Sequence, residues 1–312
     1  MSARATGADW DSEVGRWRAL TGMAHKAAVY ARDPLARTAM ANTPGPGDML
    51  PELLYDAALL VVKPEALVTG RMPRIERFLR RRDLTVVAAF TTELDAARSH
   101  QLWAYPWVKA TTDRMRLHIL LSEGLPSWCL LVRREPGSDE LPLTMRLAID
   151  KGASASGPRR PGQLRTELGM TNRMISFVHC PDEPADLLRD VYVLGGATGL
   201  RLLETTVAQP ISEEWSAGEW PGGVDLEPAG LLAGLSAGGR ARLLGLLDAR
   251  REHGRTLSLD EAIGEARAAG ARERWHCHGL AAGLIPHDLP GVAAEFDEAT
   301  VEQLAQRWRR DA

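Results

Sequence analysis

Cysteine is nearly absent: Cys129, Cys180 and Cys277 are the only three in 312 residues. They are too few and too scattered for a disulfide framework, and an odd number leaves one unpaired, so a reducing cytoplasmic compartment is expected. Long apolar runs are missing too. The amino terminus, MSARATGADWDSEVGRWRAL, has no signal-peptide core, and nothing approaches the roughly 20 apolar residues that span a bilayer, which argues against a membrane partner. Charge of one sign is not in excess: the net charge is -3 and the pI near 6.3, so the global balance does not point to nucleic acid. The chain has no Walker A loop, no dinucleotide-type glycine spacing in LGGATG at 194–199, which reads as a helix end, and no internal repeat. Lys, Ile and Asn are sparse beside Ala, Arg, Leu and Gly, a usage that fits a high-GC bacterial genome.

What is present is an ordinary globular composition, 45% hydrophobic and 25% charged, in a chain long enough for two modest domains. Trp10, Val14, Trp17, Leu20, Met23 and Ala27 recur at helical spacing and predict a helix with one buried face over 10–40. ANTPGPGDMLP, at 41–51, breaks it. Beyond the break come an apolar strand (AALLVV), a Lys-Pro stop, and a helix over 70–82 that buries Met72, Ile75, Phe78 and Leu79. A strand (TVVAAFTT), two helices around Tyr105-Pro106, a third strand (SWCLLVRRE) and a helix over 140–148 follow. KGASASGPRRPGQ is a loop, residues 173–179 a fourth strand, and 183–193 another helix. Interleaved strands and helices predict an α+β sandwich with a mostly antiparallel sheet. A second linker begins near residue 208, and the remainder reads as helices over 229–251, 258–269, 272–283 and 297–309, with Ser258 as an N-cap.

The segment VVKPEALVTGRMPRIERFLRRRDLTVVAAF resembles the opening of the nucleoside diphosphate kinases. Later pieces follow in that family's order: SEGLPSWCLLV, TMRLAI, PGQLR and VHCPDEPADLLRDV. The resemblance covers roughly residues 56–195. It implies a ferredoxin-like sandwich with a four-stranded antiparallel sheet, flanked by an N-terminal helical extension (1–50) and a C-terminal helical domain (208–312), the kinase-like part spanning 51–207. It implies His179 as the phosphate-accepting nucleophile, Asp190 as the carboxylate that holds its ring, and Lys63, Arg146 and Arg165 around the phosphates, with Ser176 and Asn172 beside them. Magnesium with ATP or another nucleoside triphosphate is the implied cofactor, bound through the donor's phosphates rather than by protein ligands. A nucleotide substrate, a homo-oligomer and a cytoplasmic location are implied as well.

The chemistry is coherent. A neutral imidazole nitrogen attacks a terminal phosphoryl group while a carboxylate on the other nitrogen fixes tautomer and orientation. Cations neutralise charge on the transferring oxygens. The sequence also departs from the family's pattern. Asp190 stands where the family has glutamate, Cys180 and Pro181 where it has glycine and serine, and Ser176 where it has asparagine. Thr112 replaces the base-stacking aromatic, Gly152 replaces a phosphate-holding threonine, and the loop to PGQLR is longer by two residues. Three readings therefore stand. One is a phosphotransferase acting on a nucleoside diphosphate or another small acceptor. The second is a catalytically degenerate nucleotide-binding regulatory or scaffold protein, and the third is a biosynthetic tailoring enzyme on the same fold.

Other features have plainer explanations. Arg71, Arg74, Arg77, Arg80, Arg81 and Arg82 line a helix face that is either solvated or a docking surface. Trp275, His276, Cys277 and His278 include metal-ligand types, but adjacent helical residues diverge instead of converging on an ion.

Overall fold

The structure, a computed structural model, describes residues 12–43, 50–137, 139–153, 160–208, 223–296 and 300–310. At its centre lies the first apolar run, β1 (Ala57–Val62), every residue of which is buried. It sits in a four-stranded sheet of order β2-β3-β1-β4, with β2 at Thr85–Glu93, β3 at Pro126–Arg133 and β4 at Val178–His179. Every pairing is antiparallel, and helices connect the strands, which is the ferredoxin-like α+β arrangement. Side chains alternate across the pleat, so β1 feeds two cores. Ala58, Leu60 and Val62 pack with the helix carrying Met72, Ile75, Phe78 and Leu79 and with the C-terminal helices. Ala57, Leu59 and Val61 pack with the N-terminal helices and the helix after His179.

The expected N-terminal helix is three: α1 (Glu13–Arg18), α2 (Ala24–Tyr30) and α3 (Pro34–Ala41). The predicted face is nonetheless buried at Trp17, Leu20, Met23 and Ala27, while Trp10 lies outside the described residues. Long-range polar contacts break the helix. The Thr21 hydroxyl and the Gly22 amide both donate to the Glu183 carboxylate (2.7 Å each), pulling the chain out of register. Asp33 then caps α3 by accepting from Leu35 and Ala36 N–H, with Pro34 in the first turn, where it lacks no needed donor. The expected linker at 41–51 ends sooner, since α4 (Leu50–Tyr55) starts within it; residues 44–49 lie outside the described set.

After β1, Lys63-Pro64 opens a short helix, α5 (Pro64–Val68), where a stop was expected, because proline suits a first helical turn. The next helix, α6 (Met72–Arg80), buries its four predicted apolar residues. The arginines flanking it are not merely solvated: Arg71 pairs with Glu227, Arg81 with Glu167 and Arg82 with Asp150. Between β2 and β3 run α7 (Ala96–Leu102), a short 3-10 turn and α8 (Thr112–Ser122); α9 (Leu143–Lys151) and α10 (Leu164–Glu167) precede β4.

The fourth strand is two residues, not seven, because its approach is held by side chains. Asn172 Oδ1 accepts from the Met174 and Ile175 amides. The Arg165 guanidinium donates to the carbonyls of Gly152 and Val178 (2.8 Å each) and Ser176 (3.4 Å). Phe177 has a φ of 62°, unfavourable for a residue with a bulky side chain.

The helix after His179, α11 (Pro184–Ala208), runs well past the expected 193. LGGATG is a hinge rather than an end: Gly196 takes φ 57° and ψ -148°, and the helix resumes beyond it. The C-terminal helices are α12 (Pro228–Ala233), α13 (Ala237–His253), α14 (Leu259–Ala268), α15 (Arg274–Leu284) and α16 (Val301–Arg310). The expected 229–251 helix is thus two, split where Ser236 caps α13 by accepting from the Gly239 amide. Ser258 and Glu261 form the capping box that caps α14. Leu231 and Leu243 are buried in the same cluster as Leu60, Val62 and Leu117, so this region packs against the sheet's helical face. His276 and Cys277 are engaged by the backbone carbonyls of Leu231 and Ala271. Among the described residues no group of three or more His, Cys, Asp or Glu gathers as a metal cluster, and no helix is long and apolar enough to cross a membrane.

Candidate active site

His179 ends β4 and is paired across the ladder with Val61. Its side chain is one-fifth exposed, whereas that of Asp190 is 7% exposed. Eleven residues on, and one helical face away, Asp190 brings its Oδ2 to 2.9 Å from His179 Nε2. An ionised carboxylate only accepts, so Nε2 carries the ring proton and the lone pair is left on Nδ1. The indole of Trp103 meets the ring edge-on, 5.6 Å between centroids. The peptide before β4 is pinned from below: Glu65 Oε1 accepts from the Phe177 amide (3.2 Å) and from Lys63 Nζ (2.5 Å).

A pocket of about 160 Å³ opens beside the ring, lined by His179, Asp190, Trp103, Tyr105, Tyr30 and Phe296 among others. Its floor is a buried polar network that sequence reasoning missed. Lys26 Nζ donates to Glu183 (2.7 Å) and Asp186 (2.9 Å), and the Tyr30 hydroxyl donates to Asp186 (2.5 Å). Arg189 Nε donates to Asp33 (2.7 Å), which also accepts from the Tyr105 hydroxyl (2.6 Å). Burial opposes the charge on Lys26, but the Asp186 and Glu183 carboxylates outweigh it and hold its pKa above the ordinary lysine range. Burial, reinforced by Asp186, pushes the Tyr30 phenol well up, so it stays a neutral donor. Two signals were available in sequence. Asp186, Arg189 and Asp190 share one face of the helix after His179, and Lys26 interrupts the apolar face of Met23, Ala27 and Tyr30.

Trp103, which meets the His179 ring, also packs edge-on with His118, which is buried and meets Trp107 in the same way. Burial and the charges of Lys63, Arg114 and His179 push its pKa well below the ordinary value, so it is neutral. Lys63 is likewise pushed down by burial, with Arg165 and Arg114 acting in the same sense against Glu65.

The predicted residues therefore divide. His179 and Asp190 are joined, and Lys63 lies within electrostatic reach of the same cluster. Arg146 does not join them: it turns outward on α9 to chelate Asp139, Nη2 to Oδ1 at 2.9 Å. Arg165 is spent on the three carbonyls that shape β4, Ser176 supplies one of them, and Asn172 is a turn residue. From α9 it is Lys151 that reaches the site, donating to the Cys180 carbonyl at 3.3 Å.

Neither a scan against protein-family models nor a search of curated proteins found a match. Among solved structures the chain is similar to the nucleoside diphosphate kinase of Aquifex aeolicus, at 16% identity and a TM-score of 0.36, over 44% of this chain and 93% of that one. It is similar to an NDP kinase from Pyrobaculum aerophilum at 16% identity and a TM-score of 0.34, over 44% of this chain and 94% of that one. Neither likeness bears on activity.

Proposed function

We propose that the protein is a phosphotransferase that moves the terminal phosphate of a nucleoside triphosphate, through a phosphohistidine at His179, to a small acceptor. One observation carries this reading: the Nε2–Asp190 hydrogen bond, which leaves the lone pair on Nδ1 of a ring that lines a pocket. In the first half-reaction the Nδ1 lone pair forms a bond to the terminal phosphorus. The bond from phosphorus to the bridging oxygen breaks, and the diphosphate leaves with that electron pair. In the second, an acceptor hydroxyl displaces the phosphoryl group from Nδ1 and loses its proton to solvent. Asp190 stabilises the positive charge on the phosphorylated ring throughout. Magnesium enters with the donor as part of the substrate.

Pocket size bears on the acceptor. About 160 Å³ is well below the roughly 300–1,000 Å³ of sites that enclose drug-sized ligands, so the pocket accommodates a small polar molecule and not a whole nucleotide. Met23, Lys26 and Tyr30 of the N-terminal helices share its walls with Asp186, Arg189 and Asp190 of α11 and with Ala294, Phe296, Val301 and Leu304 from the C-terminal region, which makes both extensions part of acceptor recognition. The division into a kinase-like core (51–207) and a C-terminal helical unit belongs to the same proposal, as do a nucleotide donor and self-association.

A second reading, a nucleotide-binding regulatory protein, draws support from the engagement of Arg146 and Arg165 with the protein itself. Incubation with terminally labelled ATP and magnesium separates the two. The phosphotransferase reading expects acid-labile, base-stable label that disappears in His179→Gln; nucleotide binding without label supports the regulatory one.

A further inference from the structure

Two arginines from distant parts of the chain converge on one carboxylate. Arg114 on α8 and Arg173 in the approach to β4 both donate to Asp288, which lies on the segment after α15. Their side chains are only 13% and 14% exposed, against 37% for Asp288. Two nearly buried guanidiniums thus share a single negative charge. Among the described residues that act on Lys63 beside Arg114 the imbalance is not corrected, since Lys63 and Arg165 add two cations and Glu65 one anion. Among the described residues, the buried Arg173 Nε finds no hydrogen-bond partner, and neither does the Nε2 of His118, which senses the Arg114 charge. Burial and the proximity of Arg173 together push the Arg114 pKa down, which a second negative charge would relieve.

A phosphate group matches what is missing. It carries about two negative charges and three acceptor oxygens, enough for bidentate contacts to both guanidiniums, which a single carboxylate cannot give. We infer that Arg114 and Arg173 form an anion-binding site for a phosphate- or polyphosphate-bearing ligand, and that Asp288 is its built-in occupant, displaced when that ligand binds. The segment carrying Asp288 is positioned for this role. It is held on the α7–α8 connection by an isolated antiparallel bridge, Ala110 to Asp288, and by Leu289 N–H donating to the Lys109 carbonyl at 2.7 Å. The Thr111 hydroxyl donates to the Pro286 carbonyl at 2.6 Å. Leu289 and Val292 of the same segment are 41% and 40% exposed, so little apolar burial retains it. Rotation of the Asp288 side chain alone vacates the guanidiniums without unseating these backbone contacts.

The test is calorimetric titration of the full chain with sodium tripolyphosphate. Asp288→Asn removes the competing charge and is expected to bind at least about tenfold tighter than the parent. Adding Arg173→Gln to that variant is expected to abolish the gain. Equal affinity of parent and Asp288→Asn, or a gain that survives Arg173→Gln, overturns the inference. If Asp288→Asn does not fold, the parent chain carries the test: Arg173→Gln must weaken its tripolyphosphate binding about tenfold, and unchanged binding overturns the inference. Labelling of His179 by ATP is scored separately, so a failed titration leaves the histidine chemistry standing and a failed labelling leaves this site standing.

Discussion

Lys26→Met is the sharpest probe of how the N-terminal extension holds the pocket. Methionine keeps the length and much of the aliphatic contact of lysine while deleting the ammonium. Lys26 is 3% exposed and Glu183 fully buried, so the charges of this network have little water to fall back on. A pair of unit charges at about 4 Å is worth roughly 4 kcal/mol at an effective dielectric of about 20, and Lys26 meets two carboxylates at 2.7 and 2.9 Å. Desolvating the ammonium offsets several kcal/mol of that, leaving an expected destabilisation of about 3–5 kcal/mol when one partner is removed. Glu183 keeps three other donors, from Thr21, Gly22 and Trp308, which limits the loss to this range. The pH dependence has a definite sign. The Lys26 pKa is raised, so its contribution is complete below the ordinary value of 10.5 and lost only as pH rises through the higher folded value. In Lys26→Met the uncompensated carboxylates are relieved by protonation, so the deficit relative to parent shrinks as pH falls toward the ordinary glutamate value of 4.5. Urea denaturation of both proteins between pH 4.5 and 8 measures this. A destabilisation below about 1 kcal/mol at pH 7, or a deficit that grows on acidification, refutes the assignment of a buried, charged network.

Gly239→Ala is expected to destabilise the fold by about 1–3 kcal/mol although alanine is the better helix former by about 1 kcal/mol, because the new Cβ would lie 2.2 Å from the Ala269 carbonyl oxygen; thermal melts decide it. Arg165→Gln removes the donors to three buried carbonyls and is expected to lose about 3 kcal/mol in denaturant titration, together with faster amide exchange over 176–179. A variant that keeps its stability but loses nucleotide binding would instead return Arg165 to the phosphates. Asp190→Asn is expected to slow labelling of the protein without eliminating it, read as initial rate at fixed ATP, since Asp190 orients the ring and does not react.

The sheet was legible because its strands are plain apolar runs: β1, β2 and β3 fall where alternation and composition put them, and the Met72, Ile75, Phe78 and Leu79 stripe is buried as spaced. Caps written in local sequence, such as Ser258 with Glu261, were legible for the same reason. Long-range polar contacts were not. The breaks at Thr21-Gly22 depend on Glu183, and the shortness of β4 depends on Arg165 reaching three carbonyls. Side-chain direction was also invisible: Arg146 and Lys151 lie five residues apart on one helix, yet the first pairs with Asp139 and the second donates to the Cys180 carbonyl. The pairing of His179 with Asp190 was implied by the resemblance to the nucleoside diphosphate kinases, and the two residues stand at the end of β4 and within the helix that follows. Lys26, Tyr30 and Asp33 could not be placed, since 156 or 157 residues separate them from Glu183, Asp186 and Arg189.

The chemistry turns on one nitrogen, Nδ1 of His179. Mild-pH phosphorus NMR and mass-spectrometric mapping of the full chain after incubation with magnesium and ATP report both the phosphorylated residue and the ring position. Phosphate is expected on His179 and on Nδ1, because Nε2 is committed to Asp190 at 2.9 Å. Phosphate on Nε2 of His179, on another residue, or nowhere in a chain that demonstrably binds ATP contradicts it.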